Sequence, residues 1–190
     1  MDRLERRLAV AALSAALFLG PARAGAEGFF DLYVSGSFHE FNGVSGEDGI
    51  GGGLRGGGYF EVLSFLDLGL AGDLAFFKAD GVGAPINTGV FAVTPMFMVR
   101  VPLLETDRLP HGMIQPYAGV GPGLFTVVAY GDNFALDAAF EVGVDFRLGT
   151  KVMLLPWLGL FLEYGYTGFT LLDVVEVKTN HVKGGVGFNF

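Results

Sequence analysis

Cysteine is absent from this sequence, and charged side chains are scarce in it. With no Cys among 190 residues, neither disulfide bonds nor cysteine-ligated metal sites can contribute to stability. The three histidines lie far apart and match no spacing typical of zinc ligands. We therefore expect no metal and no other cofactor. Stability must come from the size of the fold, from closure of a sheet or from a membrane.

The sequence also lacks any long apolar run beyond its N-terminal segment. The longest such run, residues 152–162, contains Pro156 and Gly159 and ends at Glu163, whereas a membrane-spanning helix needs about 20 apolar residues. Hydrophobic residues nevertheless make up 51% of the chain and charged residues only 17%, which excludes a disordered chain. The 31 glycines follow no three-residue period, so a collagen-like chain is excluded as well.

The N-terminal segment has the order of a secretory signal peptide. Three arginines within the first seven residues precede the apolar run 8–19, and small-residue cleavage sites follow. The apolar run is too short to span a bilayer. We predict a signal peptide over residues 1–26, cleaved after Ala24 or Ala26, and one domain over residues 27–190. A retained N-terminal anchor is the alternative.

The chain has too few basic residues to bind nucleic acid. Residues 1–26 carry four of the 12 basic and two of the 20 acidic residues, so the remaining chain has 8 basic and 18 acidic residues, a net charge of about −10. A nucleic-acid-binding protein would need a basic face. No nucleic-acid partner is expected.

The stretch from Leu136 to Leu148 alternates between two chemically different sets of residues. The apolar set is Leu136, Ala138, Phe140, Val142, Val144, Phe146 and Leu148. The other set is Asp137, Ala139, Glu141, Gly143, Asp145 and Arg147. A strand sends successive side chains to opposite faces, so this pattern predicts a strand with one apolar face. A helix would instead stack Asp137, Glu141 and Asp145 as like charges four residues apart.

Similar alternation recurs along the chain between polar or Gly- and Pro-rich turns. It predicts eight strands of about ten residues, over 29–39, 50–60, 67–77, 91–100, 116–128, 136–148, 158–167 and 181–190. A tilted strand of that length crosses a bilayer. We predict an all-β fold, an eight-stranded antiparallel up-and-down transmembrane β-barrel, closed because an open strand edge is intolerable in lipid. Pro95, Pro116 and Pro122 should lie at bulges or near strand ends, since proline lacks a backbone N–H.

The composition of the two strand faces predicts which of them points outward. The less apolar face is mostly Gly, Ala and Ser with charges of both signs, as a narrow lumen filled by ion pairs requires. Facing lipid, each Arg or Lys near the midplane would cost roughly 2 to 4 kcal/mol. Aromatic residues cluster toward strand ends on the apolar face, as in the girdles of membrane barrels. The predicted lumen ion-pair cluster is Arg55, Asp73, Glu141, Asp145, Arg147, Glu163 and Lys183.

Four segments carry a family resemblance: residues 116–121, 140–147, 162–166 and 186–190. They resemble the eight-stranded OmpA-like outer-membrane β-barrel domain family, over essentially all of residues 27–190. The resemblance implies the outer membrane of a Gram-negative bacterium. It also implies that the outer-membrane assembly machinery recognises a C-terminal strand with an aromatic last residue. Phe188 and Phe190 match that pattern and are the predicted assembly signal.

The lumen charges allow two functions. In the first, Arg55 pairs with an inward carboxylate, Glu163 or Glu141 first, and ion-paired side chains fill the lumen of a barrel with a structural or surface-interaction role. In the second, Asp73, Glu141 and Glu163 line a narrow porin-like channel for small solutes. The filled lumen is favoured, because the interior of an eight-stranded barrel is barely wide enough for its own side chains.

Two further motifs have the residue types of functional sites. Ser37 and His39 lie two residues apart on one strand face and would serve an outer-membrane lipid-modifying hydrolase if an acid from another strand oriented the imidazole. Residues 51–56 match G-x-G-x-x-G, but no helix follows to bind a pyrophosphate. We predict no catalysis. His39 and His181 are expected on the inward face at the outer rim, near the seam between the first and last strands.

The outward loops are predicted from a first strand that rises from the periplasm. They fall near residues 42–48, 80–87, 130–134 and 172–179, and they are too short for a large adhesive surface. We expect a monomer whose partners are outer-membrane lipid, lipopolysaccharide and the outer-membrane assembly machinery.

Overall fold

The computed structural model describes residues 26–46, 48–78, 87–131, 134–171 and 175–190. Within these ranges the chain forms eight long strands, β1 to β8: Ala26–Phe41, Gly49–Leu63, Leu66–Lys78, Asn87–Arg100, Ile114–Gly131, Phe134–Leu155, Leu158–Leu171 and Val175–Asn189. The two residues Val44–Ser45 pair with the end of β1. No helix in the described ranges is long and apolar enough to cross a membrane. Of the predicted signal peptide only Ala26 is described, as the first residue of β1, so the signal peptide stays a prediction.

The strands form one closed antiparallel barrel. Each strand pairs with the next along the chain, and β8 pairs with β1 from Asn189 opposite Phe29 to Val177 opposite Phe41. Closure leaves no strand edge without a partner, as a backbone surrounded by lipid requires. The predicted eight-stranded up-and-down topology is confirmed.

The register of the strands gives the barrel a strong tilt. One circuit of directly paired residues passes through Gly28, Gly58, Leu70, Phe97, Val120, Phe146, Tyr166, Asn180 and Phe38. The circuit returns to β1 ten residues beyond its start. Strands staggered in this way tilt by about 40° from the barrel axis, so each residue climbs roughly 2.5 Å. About ten residues therefore cross the apolar band of a membrane, which is roughly 25 Å tall.

The strands are longer than the predicted ten residues. They range from 13 residues in β3 to 22 residues in β6. The prediction used the length needed to cross lipid, whereas backbone pairing continues beyond the lipid band and into the hairpins. In β6, predicted over 136–148, the strand begins at Phe134 and continues to Leu155, so it is longer than predicted at both ends.

Pro95 and Pro122 lie in the interiors of β4 and β5, and neither lies at a bulge. The ladder between these strands pairs Val93 with Leu124 and resumes four residues later in the same register. It is interrupted where the two prolines face each other, because neither has an N–H to donate. The predicted bulges are therefore wrong for this pair, whereas Pro116 lies near the start of β5 as predicted.

The two faces of the barrel differ sharply in chemistry. Large apolar side chains are exposed around the outside, among them Leu32, Leu70, Leu74, Val120, Phe146, Leu148, Leu160, Leu162 and Val182. Charged, aromatic and small side chains are buried in the lumen. This arrangement is inverted relative to a water-soluble barrel, and it identifies lipid as the medium that covers the outer surface.

Candidate functional site

Inward side chains lie over glycines, which make room for them in the narrow lumen. A β-carbon at Gly165 on β7 would clash with the guanidinium of Arg147, which lies opposite it on β6. The ring of Phe125 covers Gly123 in the same way. Close approach of this kind requires glycine, and it explains why so much of the inward face lacks a side chain.

Arg55 on β2 connects opposite walls of the barrel. Its Nη1 lies 2.5 Å from Glu163 Oε2 on β7, and its Nη2 donates to Asp31 Oδ2 on β1 at 2.9 Å. Tyr117 on β5 accepts from Arg55 Nη2 at 3.1 Å and donates to Glu163 Oε2 at 2.8 Å. The side chains of Arg55, Asp31 and Glu163 are at most 2% exposed. Glu163 is one of the two carboxylates that the sequence predicts for Arg55.

Asp73 on β3 is the centre of a second group of charges. Arg147 Nη2 on β6 lies 3.5 Å from Asp73 Oδ2, and Arg147 also pairs with Asp145 on its own strand. Lys183 Nζ on β8 lies 3.4 Å from the same Asp73 oxygen. The hydroxyl of Tyr33 on β1 donates to Asp73 Oδ1 at 2.5 Å. Asp73 therefore contacts side chains from three other strands.

Lys151 on β6 is a lumen charge that is absent from the predicted cluster. Its Nζ lies 2.6 Å from Asp31 Oδ1 and 3.3 Å from Asn189 Oδ1. Alternation that continues past the predicted end of the strand, through Gly149 to Lys151, could have revealed it. Four bases and four acids thus meet in the lumen: Arg55, Arg147, Lys151, Lys183, Asp31, Asp73, Asp145 and Glu163. We call these eight residues the ion-pair cluster; their formal charges cancel.

Glu141 lies apart from the ion-pair cluster. It is half-buried and faces Phe125 in the ladder between β5 and β6. Six residues of extended strand, about 20 Å, separate it from Arg147. Of the predicted cluster, the structure therefore brings Arg55, Asp73, Asp145, Arg147, Glu163 and Lys183 together and leaves Glu141 near the far end of β6.

Arg100 and Glu27 meet at the terminal end of the barrel, where β1 begins and β8 ends. Arg100 Nη2 lies 2.5 Å from Glu27 Oε2 and from Asp67 Oδ2. The guanidinium also lies 4.2 Å from the centre of the Tyr59 ring. Asn189 Nδ2 donates to Glu27 Oε1 at 2.7 Å, which joins the last strand to the first inside the lumen.

The opposite, loop end of the lumen is apolar. We call its buried cluster the apolar cap: Phe77, Val90, Ala92, Phe125, Val127, Phe169 and Val177, each at most 7% exposed. The rings of Phe125 and Phe169 stack with their centres 4.7 Å apart. The cap was not predicted, because the strand register decides which inward Phe and Val residues meet at one level.

The two predicted rim histidines are buried beside the apolar cap. His39 is 4% and His181 is 2% exposed, so neither decorates an open rim. Both rings pack against Phe77, with centre-to-centre distances of 5.8 Å for His39 and 4.9 Å for His181. In the seam ladder, His39 faces Thr179 and His181 faces Ser37, so the histidines lie diagonally across the seam.

Ser37 and His39 form a contact that differs from a catalytic pair. His39 Nε2 lies 3.1 Å from Ser37 Oγ and 3.0 Å from the carbonyl oxygen of Lys78. A carbonyl can only accept, so Nε2 carries the proton in this arrangement and cannot take one from Ser37. The Thr179 hydroxyl lies 3.0 Å from Nδ1, where a catalytic triad places its acid.

Phe188 and Phe190, the predicted assembly signal, complete the seam. Phe188 stacks on Trp157, with ring centres 6.3 Å apart. The Phe190 N–H donates to the Gly28 carbonyl at 2.9 Å, and the Gly28 N–H donates back at 2.8 Å. Among the described residues, no group of three or more metal-ligating side chains is placed to hold a metal ion.

A closed strand barrel with an apolar outer surface and paired charges in its lumen is a transmembrane β-barrel. Residues 9–190 match the family described as the outer membrane protein beta-barrel domain. The chain belongs to this family and is a protein of the bacterial outer membrane, which confirms the predicted resemblance and location. Comparison with curated proteins gives no match.

Two solved structures illustrate the likeness. Neisserial surface protein A is 13% identical, the alignment covers 90% of this chain and 100% of that one, and the TM-score is 0.65. Ail, the attachment invasion locus protein of Yersinia pestis, is 15% identical, with 88% of this chain and 100% of that one covered and a TM-score of 0.58. At these identities the likeness shows the shared fold.

Proposed function

We propose that the protein is a non-conducting outer-membrane barrel with a structural or surface-interaction role and no catalytic activity. The observation that carries the proposal is the ion-pair cluster. Its eight buried charges come from six of the eight strands, and its contacts run across the lumen as well as along the wall. Solutes could pass this level only if those contacts separated.

The energetics of buried pairs support a permanently closed lumen. Opening a path past Arg55 would separate it from Glu163 and Asp31, which lie 2.5 and 2.9 Å away. Breaking a buried pair by removing one partner costs roughly 3 to 5 kcal/mol. The apolar cap adds a second closed layer, since its stacked Phe125 and Phe169 rings lie between the cluster and the loops.

The outer surface supports lipid and lipopolysaccharide as the surrounding partners. We propose that the loop end faces the outer leaflet and the terminal end faces the periplasm. Large apolar side chains border the terminal end, namely Phe60, Phe65, Trp157 and Phe190, and others lie toward the loops, namely Phe38, Phe76 and Phe91. The barrel would be a monomer, because closure leaves no strand edge to which a second copy could add.

Insertion by the outer-membrane assembly machinery is the remaining part of the proposal. The C-terminal residues hold the seam through the Phe190 and Gly28 backbone pair and through Asn189, which reaches Glu27. Because β8 must pair with β1 to close the barrel, β8 is a suitable strand for the outer-membrane assembly machinery to bind until the two strands pair.

Planar-bilayer recording of the refolded chain tests the closed lumen. We expect no current above that of protein-free lipid, with a porin refolded by the same procedure as the positive control. Reproducible single-channel steps would overturn the proposal and favour the narrow channel for small solutes. Hydrolysis of outer-membrane lipid by the same preparation, lost in Ser37→Ala, would favour the hydrolase instead.

A further inference from the structure

Four buried polar atoms near the boundary between the ion-pair cluster and the apolar cap have no hydrogen-bond partner among the described residues. They are Asp145 Oδ1, Arg147 Nε, Arg147 Nη1 and His181 Nδ1. Each of the three residues is at most 2% exposed. Buried polar groups in folded proteins almost always bind protein or ordered water, because an unpaired one is costly. A group of four therefore points to something bound here.

The strand register brings these atoms to one part of the lumen. Arg147 on β6 and His181 on β8 each lie directly opposite Gly165 on β7, one on either side of it. Gly165 contributes no side chain between them, and the Arg147 guanidinium covers it, with Nη1 as the nearest atom. Asp145 is the next inward residue along β6.

We propose that Arg147, Asp145 and His181 bind a small cluster of water beside the Arg147 guanidinium that covers Gly165. The two Arg147 atoms are donors and Asp145 Oδ1 is an acceptor, so the site needs a ligand that both accepts and donates. Water does both, and a buried water typically makes about three hydrogen bonds to polar groups of this kind. His181 Nδ1 can bind water in either role, depending on its tautomer.

The surrounding charges argue against an ion in place of water. A halide next to Arg147 would also lie near Asp145, Asp73 and Glu163, all of which contact that guanidinium. A cation would be repelled by Arg147 itself and by Lys183, which shares Asp73 with it. Because the charges of the ion-pair cluster already cancel, either ion would add an unbalanced charge in a medium of low dielectric constant.

The distance between the Arg147 guanidinium and the Glu163 carboxylate is suited to a bridging water. Arg147 Nε lies 3.8 Å from Glu163 Oε1, which is too long for a direct hydrogen bond. At such a separation, a water that accepts from the guanidinium and donates to the carboxylate satisfies both groups. The lumen would then have three layers: paired charges, bound water and the apolar cap.

Nuclear magnetic resonance of the refolded chain in lipid nanodiscs tests this inference. Magnetisation transfer from water to the imidazole ring protons would be measured with isotope-labelled histidine. We expect a cross-peak at His181 with the sign of slowly exchanging water. His111, which is exposed, serves as the control for rapidly exchanging solvent.

Variants at Asp145 sharpen the test. Asp145→Asn keeps an acceptor oxygen, so the His181 cross-peak should persist, whereas Asp145→Leu should abolish it. The wild-type measurement stands alone if either variant fails to fold. Absence of a water cross-peak at wild-type His181 would overturn the proposal. So would an anomalous-scattering peak beside Arg147 in crystals grown with bromide, because it would identify a halide as the occupant. Bilayer conductance is not involved, so this inference can fail while the closed lumen stands.

Discussion

The terminal half and the loop half of the lumen are filled by different chemistry. At the terminal end Arg100 pairs with Glu27 and Asp67, and toward the middle Arg55 pairs with Asp31 and Glu163. At the loop end, the apolar cap fills the same cross-section, with Phe77 and Phe125 among its largest side chains. Both halves bury their side chains almost completely. Close packing of the lumen therefore does not depend on charge.

The two halves contribute differently to folding. Apolar contacts are non-directional and tolerate shifts in register, whereas a pair such as Arg55 with Glu163 forms only when strands β2 and β7 hold one arrangement. Charges that link strands distant in sequence are suited to selecting the register in which the barrel closes. We expect stability from both halves and closure in a unique register mainly from the charged one.

Removal of Phe190 should produce the largest effect of all. A chain ending at Asn189 loses the backbone pair with Gly28 at the terminal end of the seam, so we expect outer-membrane yield to fall severely while export is unchanged. Cell fractionation measures both quantities. The loop end of the seam has no chain terminus to truncate. Phe38→Ala, which removes an aromatic side chain at that end, therefore serves as the matched variant. Normal yield of the truncated chain would contradict the assembly signal.

Arg55→Ala tests the charged half. It leaves Glu163 and Asp31 without their guanidinium partner, and we expect a loss of roughly 3 to 5 kcal/mol in the free energy of unfolding. Urea titration of the refolded barrel in lipid measures it, with Arg108→Ala as a control because Arg108 is exposed.

The same variant can also disprove the closed lumen. Unchanged urea stability together with increased conductance in Arg55→Ala would mean that Arg55 is a pore constriction and that the charged half does not act as a plug.

Phe125→Ala tests the apolar half. Truncating a buried Phe costs roughly 3 to 5 kcal/mol, and we expect the lower end, about 3 kcal/mol, because Phe169 can move into part of the space. The barrel should remain non-conducting, since the ion-pair cluster still closes the middle of the lumen. Urea titration and bilayer recording measure the two outcomes, with lipid-facing Phe91→Ala as the control. Conductance in Phe125→Ala would show that the cap alone closes the lumen.

The charged half was more predictable from the sequence than the apolar half. Alternation places Arg55, Asp73 and Glu163 on the face opposite the lipid-facing set, and an Arg in lipid is costly, so their inward orientation follows from the sequence alone. Phe77 and Phe125 obey the same period, but an apolar residue is acceptable on either face. Phe77 lies four residues after Asp73 on β3, so alternation places both on the same face, whereas the meeting of Phe77 with Phe125 at the loop end depends on the strand register.

Which charged residues pair with one another was less predictable than which of them point into the lumen. Which carboxylate meets Arg55 depends on the ten-residue stagger of the barrel, because the stagger decides which residues of β7 reach the level of β2. Glu163 and Glu141 therefore looked equivalent in the sequence and lie at different levels in the fold. Lys151 was missed for a simpler reason, since the strand was expected to end where the lipid band ends.

The smallest effect should come from an ion pair on the outside of the barrel. Lys178 Nζ lies 3.1 Å from Glu176 Oε2 at the loop end of β8, with side chains 35% and 57% exposed. Exposed pairs are screened by water and salt and lose side-chain entropy when they form. We expect the urea midpoint of Glu176→Gln to equal that of the native chain within error, whereas Glu163→Gln, with its carboxylate in the lumen, should lower it clearly. If the two substitutions lowered the midpoint equally, burial would not be what makes the lumen charges stabilising, and the contrast between a charge-paired half and an apolar half would lose its physical basis.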